Sequence, residues 1–352
     1  KALYRDCRLL VLDEPTAVLT PIEVEELFVT LRAMATDGVG LIFITHKLGE
    51  VLALADRITV MRDGRVTGET VPSATSKGEL ANMMVGRPVQ LAPDRPMVEV
   101  GAVRLAIDGL RVDGDRGTEA VKECGLEVRA GEIVGIAGVS GNGQRELAEA
   151  VVGLRSVTAG RVAIDGVDVT GMHPSRVRAA GLAYVPEERM RDGVVAEFSV
   201  AENLILVDHN RPPFCRRGLL RLGAIADHCR DLVERFMVKT PTLDTPAGNL
   251  SGGNIQKLIL ARELSSEPGV LLASQPTRGV DIGAAEYIHR RLIEERGRGA
   301  AVLVISEDLD EVLALSDRIA VMSEGRILAV MDRDEATIQR IGLLMAGSEA
   351  VA

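Results

Sequence analysis

The sequence contains no tryptophan and only three tyrosines and five phenylalanines in 352 residues. A chain so poor in aromatic rings offers few surfaces on which bases could stack, which argues against a single-stranded nucleic acid as ligand. Basic residues are also in deficit: 41 Lys and Arg face 51 Asp and Glu, for a net charge of −10. Because proteins that bind duplex DNA or RNA usually carry a basic face, we expect no nucleic-acid partner.

Long apolar runs are absent as well, and none approaches the roughly 20 residues that a membrane-spanning helix needs. The sequence does not open with a signal peptide, since no charged segment is followed by an apolar one. Its four cysteines are widely spaced and form no C-x-x-C pair, so we expect reduced thiols rather than disulfides or a metal site. The hydrophobic fraction of 46% and the charged fraction of 26% are those of a soluble globular protein, long enough for two domains.

What the sequence does contain is an internal repeat. The stretch "VLALADRITVMRDGR" (51–65) matches "VLALSDRIAVMSEGR" (312–326) at 11 of 15 positions, at an offset of 261 residues. The same offset aligns Asp13 with Ser274 and His46 with Glu307 without a gap. We therefore predict two copies of one domain, of which the first is incomplete.

Short apolar strands alternate with helices in each copy. In the first copy, the pattern predicts strands at 9–13, 39–45 and 57–61 and helices at 22–35, 47–54 and 77–84. Strands separated by helices of this length predict an α/β fold with a mixed, mainly parallel sheet core.

Three prolines and little periodicity indicate that residues 86–100 form a linker. We therefore predict an incomplete domain over 1–85, here called the first repeat, and a complete domain over 101–332, the second repeat. Within the second repeat, residues 187–265 are expected to form a mostly helical subdomain. A terminal helix and tail are expected at 333–352.

A glycine loop, "GVSGNGQRE" (138–146), follows a predicted strand and opens a predicted helix. Such a loop lets backbone N–H groups surround phosphate oxygens, although a glycine-rich turn without a ligand is the alternative. The candidate phosphate-binding residues are Gly138, Ser140, Gly141 and Gly143. Compared with the G-x-x-x-x-G-K-[ST] pattern, Gln144 replaces the lysine and Arg145 replaces the hydroxyl that binds Mg²⁺. The loop is therefore expected to be poorly suited to catalysis.

The segment "LSGGNIQK" (250–257) is a second glycine turn that opens a helix. Its N–H groups and the positive end of the helix would face an anion. A helix capped by Ser251 is the alternative, but capping does not explain the two glycines or the spacing of the glutamine. The candidate binding residues are Ser251, Gly252, Gly253 and Gln256.

Two related stretches complete the set of motifs: "LLVLDEPTAVLT" (9–20) and "VLLASQPTRGVD" (270–281). Together with "LSGGNIQK", they resemble the ATP-binding subunits of ATP-binding cassette (ABC) importers for simple sugars and nucleosides, in which two cassettes are fused in one polypeptide. Residues 9–20 resemble the Walker B strand and D-loop of the first cassette, and "FITHKLGEV" (43–51) resembles its switch-histidine segment. Within this family, "SQPTRG" and the glycine loop resemble the nucleoside type more than the ribose type.

The resemblance implies two P-loop NTPase domains of the ABC type, the first of them truncated. The first repeat lacks the phosphate loop, glutamine loop and signature that precede Walker B in a whole cassette, and the missing initiator Met favours a fragment. In the second repeat, "YVPEERMRDG" (184–193) corresponds to the glutamine loop, with Glu187 in place of the glutamine.

In this family, two ATP molecules bind between two cassettes, and each site combines Walker B of one cassette with the signature and D-loop of the other. The resemblance implies one competent site here. Asp13 would hold Mg²⁺ through its water shell, Glu14 would polarise the attacking water, and His46 would contact the γ-phosphate. The second repeat would contribute Asp281 and its signature, which "LSGGNIQK" (250–257) resembles. A turn with exposed acids and a structural histidine are the alternatives.

The other composite site is expected to be degenerate. At the offset of 261 residues, Ser274, Gln275 and Glu307 replace the two acids and the histidine. Thr20 stands in the first repeat where the second repeat has Asp281. The groups that each repeat retains would therefore serve a single shared site.

The resemblance also implies ATP and Mg²⁺ as cofactors and a transmembrane permease as partner, with a solute-binding protein beyond it. Residues 189–204, "RMRDGVVAEFSVAENL", are expected to line the permease contact, with a solvated helical face as the alternative. The protein would then lie peripherally on the cytoplasmic face of the plasma membrane.

Two functions remain open for the chain. It is either an ATPase subunit that energises import of nucleosides or simple sugars, or a non-hydrolysing scaffold that binds nucleotide or permease. The scaffold function stays open because no complete ATP site can form while the first repeat lacks a phosphate loop. A soluble ABC ATPase of translation or DNA repair is disfavoured, because the linker is short and not basic and the second repeat lacks the acids.

Overall fold

The computed structural model describes residues 7–16, 19–62, 64–90 and 93–345. In the first repeat, the elements are β1 (Leu9–Asp13), α1 (Pro21–Thr36), β2 (Gly40–Ile44), α2 (Leu48–Leu54), β3 (Ile58–Arg62), β4 (Arg65–Thr70) and α3 (Lys77–Val85). Each predicted strand and helix of this repeat is present within one or two residues of its expected ends. Strand β4 had not been predicted. Residues 86–90 and 93–102 form neither helix nor strand.

The strands of the second repeat are β5 (Val103–Asp113), β6 (Glu119–Arg129), β7 (Ile133–Ala137), β8 (Val157–Ile164), β9 (Val167–Asp168), β10 (Leu182–Val185), β11 (Cys215–Arg216), β12 (Leu219–Leu220), β13 (Val270–Ser274), β14 (Ala301–Ser306), β15 (Arg318–Ser323) and β16 (Arg326–Asp332). Its helices are α4 (Gln144–Val151), α5 (Pro174–Ala179), α6 (Val200–Leu204), α7 (Leu222–Arg235), α8 (Gly252–Leu264), α9 (Ile282–Gly297) and α10 (Leu309–Leu315), followed by α11 (Ile338–Met345). None of the described helices is both long and apolar enough to cross a bilayer.

A six-stranded sheet in the order β10-β13-β14-β7-β15-β16 forms the centre of the second repeat. All neighbouring strands are parallel except β15 and β16, so the sheet is mixed and mainly parallel, as expected. Strands β7, β13 and β14 are buried along their whole length, because both faces of the sheet are covered. One face packs against α4, β5 and β6, and the other packs against α6 to α9.

An antiparallel sheet in the order β6-β5-β8-β9 packs on the central sheet and had not been predicted. In its strand β5, buried residues alternate along much of the length with partly or fully exposed ones, as a sheet with one solvated face requires. The segment between β10 and α8 is less helical than expected, because it also contains a small hairpin of β11 and β12.

The repeat found in the sequence is present in the backbone. Strands β1 and β2 are parallel with Leu9 opposite Gly40, and strands β13 and β14 pair in the same register, with Val270 opposite Ala301. The antiparallel pairs β3–β4 and β15–β16 share even an irregularity, which follows Val60 in one pair and Val321 in the other. All these positions differ by 261 residues, so the offset relates equivalent positions in three dimensions.

The two repeats differ in what lies between these strand pairs. In the second repeat, β7 pairs with both β14 and β15 and joins them into one sheet. In the described part of the first repeat, β1–β2 and β3–β4 form separate two-stranded sheets. The strands also differ in how much of one sheet face is exposed. Leu9 of β1 is 57% exposed and Ile42 of β2 is 48% exposed. Their equivalents in the second repeat, Val270 and Leu303, are both 0% exposed.

In each repeat, a buried glutamate accepts a hydrogen bond from the turn that follows the first strand of the parallel pair, β1 or β13. Glu311 accepts hydrogen bonds from Thr277 Oγ1 and Ser306 Oγ, both at 2.6 Å, and pairs with His289 Nε2 at 2.9 Å. The equivalent Glu50 accepts from Thr16 at 2.7 Å and Thr45 at 3.3 Å. Burial alone would raise the pKa of Glu311, but the bonds from its three partners hold that pKa below its ordinary value.

Replacing Glu311 by Gln is therefore expected to destabilise the fold by about 2 kcal/mol, because a charged and buried hydrogen-bond acceptor is lost. A depressed carboxyl pKa stabilises the folded state above the ordinary carboxylate range and loses this effect as the pH falls. The difference in urea midpoint between wild type and E311Q should thus shrink from pH 7 towards pH 4. An equal difference at both pH values would show that Glu311 is not the charged partner described here.

Candidate functional site

The acidic turn of the first repeat follows directly on strand β1. Glu14 adopts a positive φ of 44°, and the equivalent Gln275 has 49°. In both turns, the backbone N–H donates to the neighbouring strand, Glu14 N to Ile44 O at 2.9 Å and Gln275 N to Ile305 O at 2.7 Å. Non-glycine residues in this conformation are strained, and such strain is concentrated at functional sites. The two turns thus share one backbone and differ only in side-chain chemistry.

The histidine predicted to act with this turn lies against it. His46 follows β2, and its Nδ1 is 2.8 Å from Glu14 Oε1, with both side chains about half exposed, at 40% and 49%. Asp13 is exposed beside them at the end of β1. The two predicted catalytic residues, Glu14 and His46, and the predicted metal-binding residue Asp13 are thus brought together at one edge of the sheet of the first repeat. In the second repeat, the same places hold Ser274, Gln275 and Glu307.

The chemistry of these side chains fits a loosely held Mg²⁺ ion in the first repeat only. Mg²⁺ keeps most of its waters and takes one or two carboxylates together with substrate phosphates, rather than a closed protein cage. Asp13 offers an exposed carboxylate of this kind. Within the ranges that the structure describes, no group of three or more metal-binding side chains forms a dedicated site.

The glycine loop of the second repeat lies between β7 and α4. Gly143 has φ +96°, and a Cβ there would lie 2.3 Å from Ala120 O. A Cβ on Gly138 would lie 2.7 Å from Met322 O. These two glycines are therefore required by packing whether or not a ligand binds. Gly141, at φ +87° with open space around it, is required by conformation alone.

The side chains that follow this loop are not those of an efficient phosphate site. Gln144 is only 5% exposed, and its Nε2 has no hydrogen-bond partner among the described residues, so an acceptor oxygen in the loop would satisfy it. Arg145 instead pairs with Glu149 at 2.7 Å and with Asp115 at 3.6 Å. The bond to Glu149 raises the pKa of Arg145, so it remains a cation where a metal-binding hydroxyl would be needed.

A cavity of about 320 Å³, here called the charged cavity, opens beside this loop, and Ser140, Gly141 and Gln275 line it. Its carboxylates belong to Glu146, Glu149, Glu187, Glu188, Asp192 and Glu307, and its guanidiniums belong to Arg145, Arg191 and Arg278. The lining therefore carries six negative groups against three positive ones, which disfavours a polyphosphate.

The signature segment begins helix α8 at Gly252. Ser251 occupies the N-cap position, but its hydroxyl accepts from Asn254 Nδ2 at 2.9 Å and makes no capping bond to the backbone. The alternative of a serine-capped helix is therefore not realised. The positive end of this 13-residue helix can face an anion instead.

Asp281 lies beside the signature and has a structural role as well. Its Oδ1 caps α9 by accepting from Ala284 N at 2.9 Å, just as Thr20 caps α1 by accepting from Glu23 N at 3.2 Å. A Cβ on Gly253 would lie 3.4 Å from Asp281 Oδ2, so the second carboxylate oxygen faces the signature. The exchange of Asp for Thr between the repeats thus preserves a cap and removes a charge.

Gln256 differs from the other candidate residues because its side chain is 2% exposed, within the packed part of α8. That it binds nucleotide stays a prediction. Among the described residues, no hydrogen bond or ion pair joins Glu14 or His46 to the signature or to the glycine loop. The predicted residues therefore form three groups: the acidic turn, the glycine loop and the signature with Asp281.

Two arginines that connect parts of the second repeat could not be identified from the sequence. Arg278 forms an ion pair with Glu187, and Arg189 donates to the backbone carbonyls of Arg278 and Gly279. The only signal in the sequence was the substitution of Glu187 for the expected glutamine. A complementary arginine 91 residues away could not be paired with it from spacing alone.

A second cavity, of about 330 Å³ and here called the apolar groove, lies next to the segment 189–204. Its apolar lining includes Pro174, Val177, Pro186, Val194, Leu206 and Val207. Met190 and Phe198, both in the same segment, are exposed to solvent. An apolar groove together with exposed apolar side chains in the same segment is typical of a protein contact.

The chain is similar to known proteins in sequence. The family model described as "ABC transporter" matches residues 121–278. The glucose import ATP-binding protein TsgD13 of Haloferax volcanii is 48% identical over 99% of this chain and 64% of its own length. The nucleoside import ATP-binding protein NupA of Lactococcus lactis subsp. cremoris is 45% identical, over 99% of this chain and 69% of its own length. The guanosine import ATP-binding protein NupO of Bacillus subtilis is 44% identical, over 99% and 68%.

Solved structures agree in fold. A nucleotide-free ATP-binding cassette from an ABC transporter superposes with a TM-score of 0.56 at 24% identity, covering 68% of this chain and 94% of that one. An ATP-binding subunit of an ABC transporter superposes with a TM-score of 0.58 at 20% identity, covering 69% and 99%. The chain thus contains one whole cassette fold and spans about two thirds of the length of its curated relatives.

Proposed function

Because this chain belongs to the ABC transporter family of ATPases, we propose that it is the ATP-binding subunit that energises an importer of nucleosides or simple sugars. The observation that carries the proposal is the contact between His46 Nδ1 and Glu14 Oε1, 2.8 Å apart at the end of a cassette strand. A carboxylate paired with a histidine at this place can orient a water molecule for attack on a phosphate.

The proposed reaction uses one composite site. Asp13 would hold Mg²⁺, which when bound would neutralise charge on the phosphates. Glu14 would orient and polarise the attacking water, and His46 would contact the γ-phosphate. The start of helix α8 would donate backbone N–H groups to the transferring phosphoryl, and Asp281 would complete the contact.

A phosphate loop for this site is proposed to cover the open face of β1 and β2. In the second repeat, the same face is buried under α4, β5 and β6, and β7 fills the place between the two strand pairs. The exposure of Leu9 and Ile42 and the separate β1–β2 and β3–β4 sheets support an equivalent covering segment in the first repeat. We expect that segment to resemble residues 101–152 and to carry Lys and Ser or Thr at the positions of Gln144 and Arg145.

The charged cavity is proposed to be a site without hydrolytic function. Its excess of carboxylates, the guanidinium of Arg145 and the absence of acids at Ser274 and Gln275 all support this. The unpartnered amide of Gln144 leaves one feature that favours an oxygen ligand. The protein would therefore consist of tandem cassettes with one site that hydrolyses ATP and one degenerate site that does not.

The partners proposed are a transmembrane permease and, through it, a solute-binding protein. The apolar groove and the exposed Phe198 support docking of the permease at the segment 189–204. Docking there would hold the protein on the cytoplasmic face of the membrane. The names of the relatives include glucose, nucleosides and guanosine, while the motif "SQPTRG" favours a nucleoside.

The alternative function is that of a scaffold that binds nucleotide or permease and hydrolyses nothing. One observation favours it: the acidic turn of Glu14 has no phosphate loop beside it among the described residues. The two proposals differ in whether residues 1–352 turn over ATP.

We expect the purified chain to show no Mg²⁺-dependent ATP hydrolysis above background, and the same chain preceded by a phosphate-loop segment to hydrolyse ATP. The reason is that a γ-phosphate must be held against Glu14 before water can be directed at it. Phosphate release measured on both versions tests this. Turnover by the chain alone that disappears in E14Q would contradict it, and inactivity of both versions would favour the scaffold.

A further inference from the structure

Arg189 connects the segment after β10 to the turn after β13. Its Nη1 donates to Arg278 O at 2.5 Å, and its Nη2 donates to Gly279 O at 3.0 Å. Gly279 has φ +61°, so the turn is sharp and presents both carbonyls to one planar guanidinium. A fork of fixed geometry that bonds two successive carbonyls restrains their orientation more than a single bond would.

The same two segments are also tied in the opposite direction. The guanidinium of Arg278 forms an ion pair with Glu187 and lies 3.6 Å from Glu188. Each segment therefore supplies an arginine that bonds the other one. We call the pairing of Arg189 with the turn, together with the pairing of Arg278 with Glu187, the arginine clasp.

Arg189 also lies against the start of the signature helix. A Cβ on Gly252 would lie 2.8 Å from Arg189 Nη2, and a Cβ on Gly253 would lie 2.9 Å from Ala284 Cβ. The first turn of α8 is therefore packed between the arginine clasp on one side and the start of α9, capped by Asp281, on the other. Gly253 is needed for this packing, and a side chain at position 252 would have to displace the guanidinium of Arg189.

The backbone of Arg189 lies in an unusual helical turn. Residues 189–193 form a π-helical turn, in which Val194 N donates to Arg189 O at 3.1 Å. Burial of Arg189 is the main influence on its pKa and lowers it from the usual arginine value. Such turns are rare and are frequently found at functional sites.

We propose that Arg189 is a positioning residue for ATP hydrolysis, which holds Asp281 and the start of the signature helix in one arrangement. This inference rests on the proposed composite site, since the signature and Asp281 would act on the phosphate there. Displacement of such groups by about 1 Å lowers rates about 100-fold. Arg189 itself touches no reacting atom in this proposal and acts through the two elements that it joins.

Hydrogen exchange of the purified chain tests the clasp without any nucleotide. In Arg189→Ala, amide exchange in peptides that cover 252–256 and 278–284 is expected to become at least about 10-fold faster, since the fork that restrains both is lost. Arg191→Ala is the matched control, because Arg191 belongs to the same turn but bonds its neighbour Asp192 at 2.6 Å. Arg189→Lys should give an intermediate rate. Unchanged exchange in R189A, or an equal change in R191A, would overturn the clasp.

Kinetics of an active version of the protein then test its role in hydrolysis. R189A is expected to lower kcat about 10-fold to 100-fold with KM for ATP changed less than twofold, and R189K should recover part of the loss. Arg230→Ala, on the surface of α7, should leave both constants unchanged. A raised KM with normal kcat, or faster exchange with normal kcat, would overturn the positioning role. If the wild type itself hydrolyses no ATP, the proposed function fails and the role with it, while the exchange result still decides whether the clasp exists.

Discussion

Replacing Glu14 by Gln is expected to lower ATP hydrolysis by an active version of the protein at least about 100-fold, the usual contribution of a positioned general base. The amide keeps the shape of the carboxylate and the positive φ of 44° that the turn requires. It cannot accept a proton from water or pair electrostatically with His46, whose Nδ1 lies 2.8 Å away. Phosphate release at saturating ATP and Mg²⁺ measures the loss, and ATP binding by the same variant should be retained.

The repeat supplies a matched control for this substitution. Gln275 occupies the equivalent turn at φ 49°, so Gln275→Glu makes the reverse exchange on the same backbone. It should leave hydrolysis within about twofold of wild type, and S274D/Q275E should not restore activity to E14Q. Arg145 remains at the position of the metal-binding hydroxyl, and its guanidinium cannot ligate a metal. Activity gained by S274D/Q275E would show that the loop is better suited to catalysis than its side chains indicate.

Much of the first repeat could be predicted because its information is local. The apolar runs of β1 and β2 are contiguous patterns, and the offset of 261 residues related them to β13 and β14 of the second repeat. The proximity of Glu14 and His46 also followed, since both come at the carboxyl ends of neighbouring parallel strands. Side chains placed in this way meet at one edge of the sheet.

The contacts that were missed join residues far apart in the chain. Glu187 was recognised as a departure from a motif, but its ion pair with Arg278 depends on how two loops fold against each other. The double role of Asp281 was missed because capping of α9 and proximity to Gly253 involve different oxygens of one carboxylate. Strand β5 was missed because it is long and interrupted by register shifts, which weaken its alternating pattern.

The linker, residues 86–100, makes tertiary contacts that its sequence does not indicate. Its sequence is rich in proline and indicates only a connection, yet Arg95 donates to Asp317 Oδ1 at 2.5 Å. Arg296 bonds both oxygens of the same carboxylate at 2.8 Å and also donates to Pro96 O at 2.8 Å. Ile133 N, at the start of β7, donates to Asp317 Oδ2 at 2.8 Å. One carboxylate thus joins the linker, α9 and the central sheet.

Replacing Asp317 by Asn is expected to destabilise the second repeat by about 3 kcal/mol, because Arg95 and Arg296 would both stay largely buried without their counter-charge. The lowered pKa of Arg95, due first to burial, shows that its charge already has an unfavourable environment. Urea unfolding followed by circular dichroism measures the change in the free energy of unfolding.

Asp56→Asn is the control from the first repeat, since Asp56 is equivalent at the offset of 261 residues but is exposed. Its effect should stay within about 0.5 kcal/mol, as is usual for surface substitutions. Equal losses from D317N and D56N would mean that the helix end common to both positions, and not the arginine pair, determines stability. A loss confined to D317N would mean that the contacts of Asp317 with Arg95 and Arg296 anchor the linker on the second repeat.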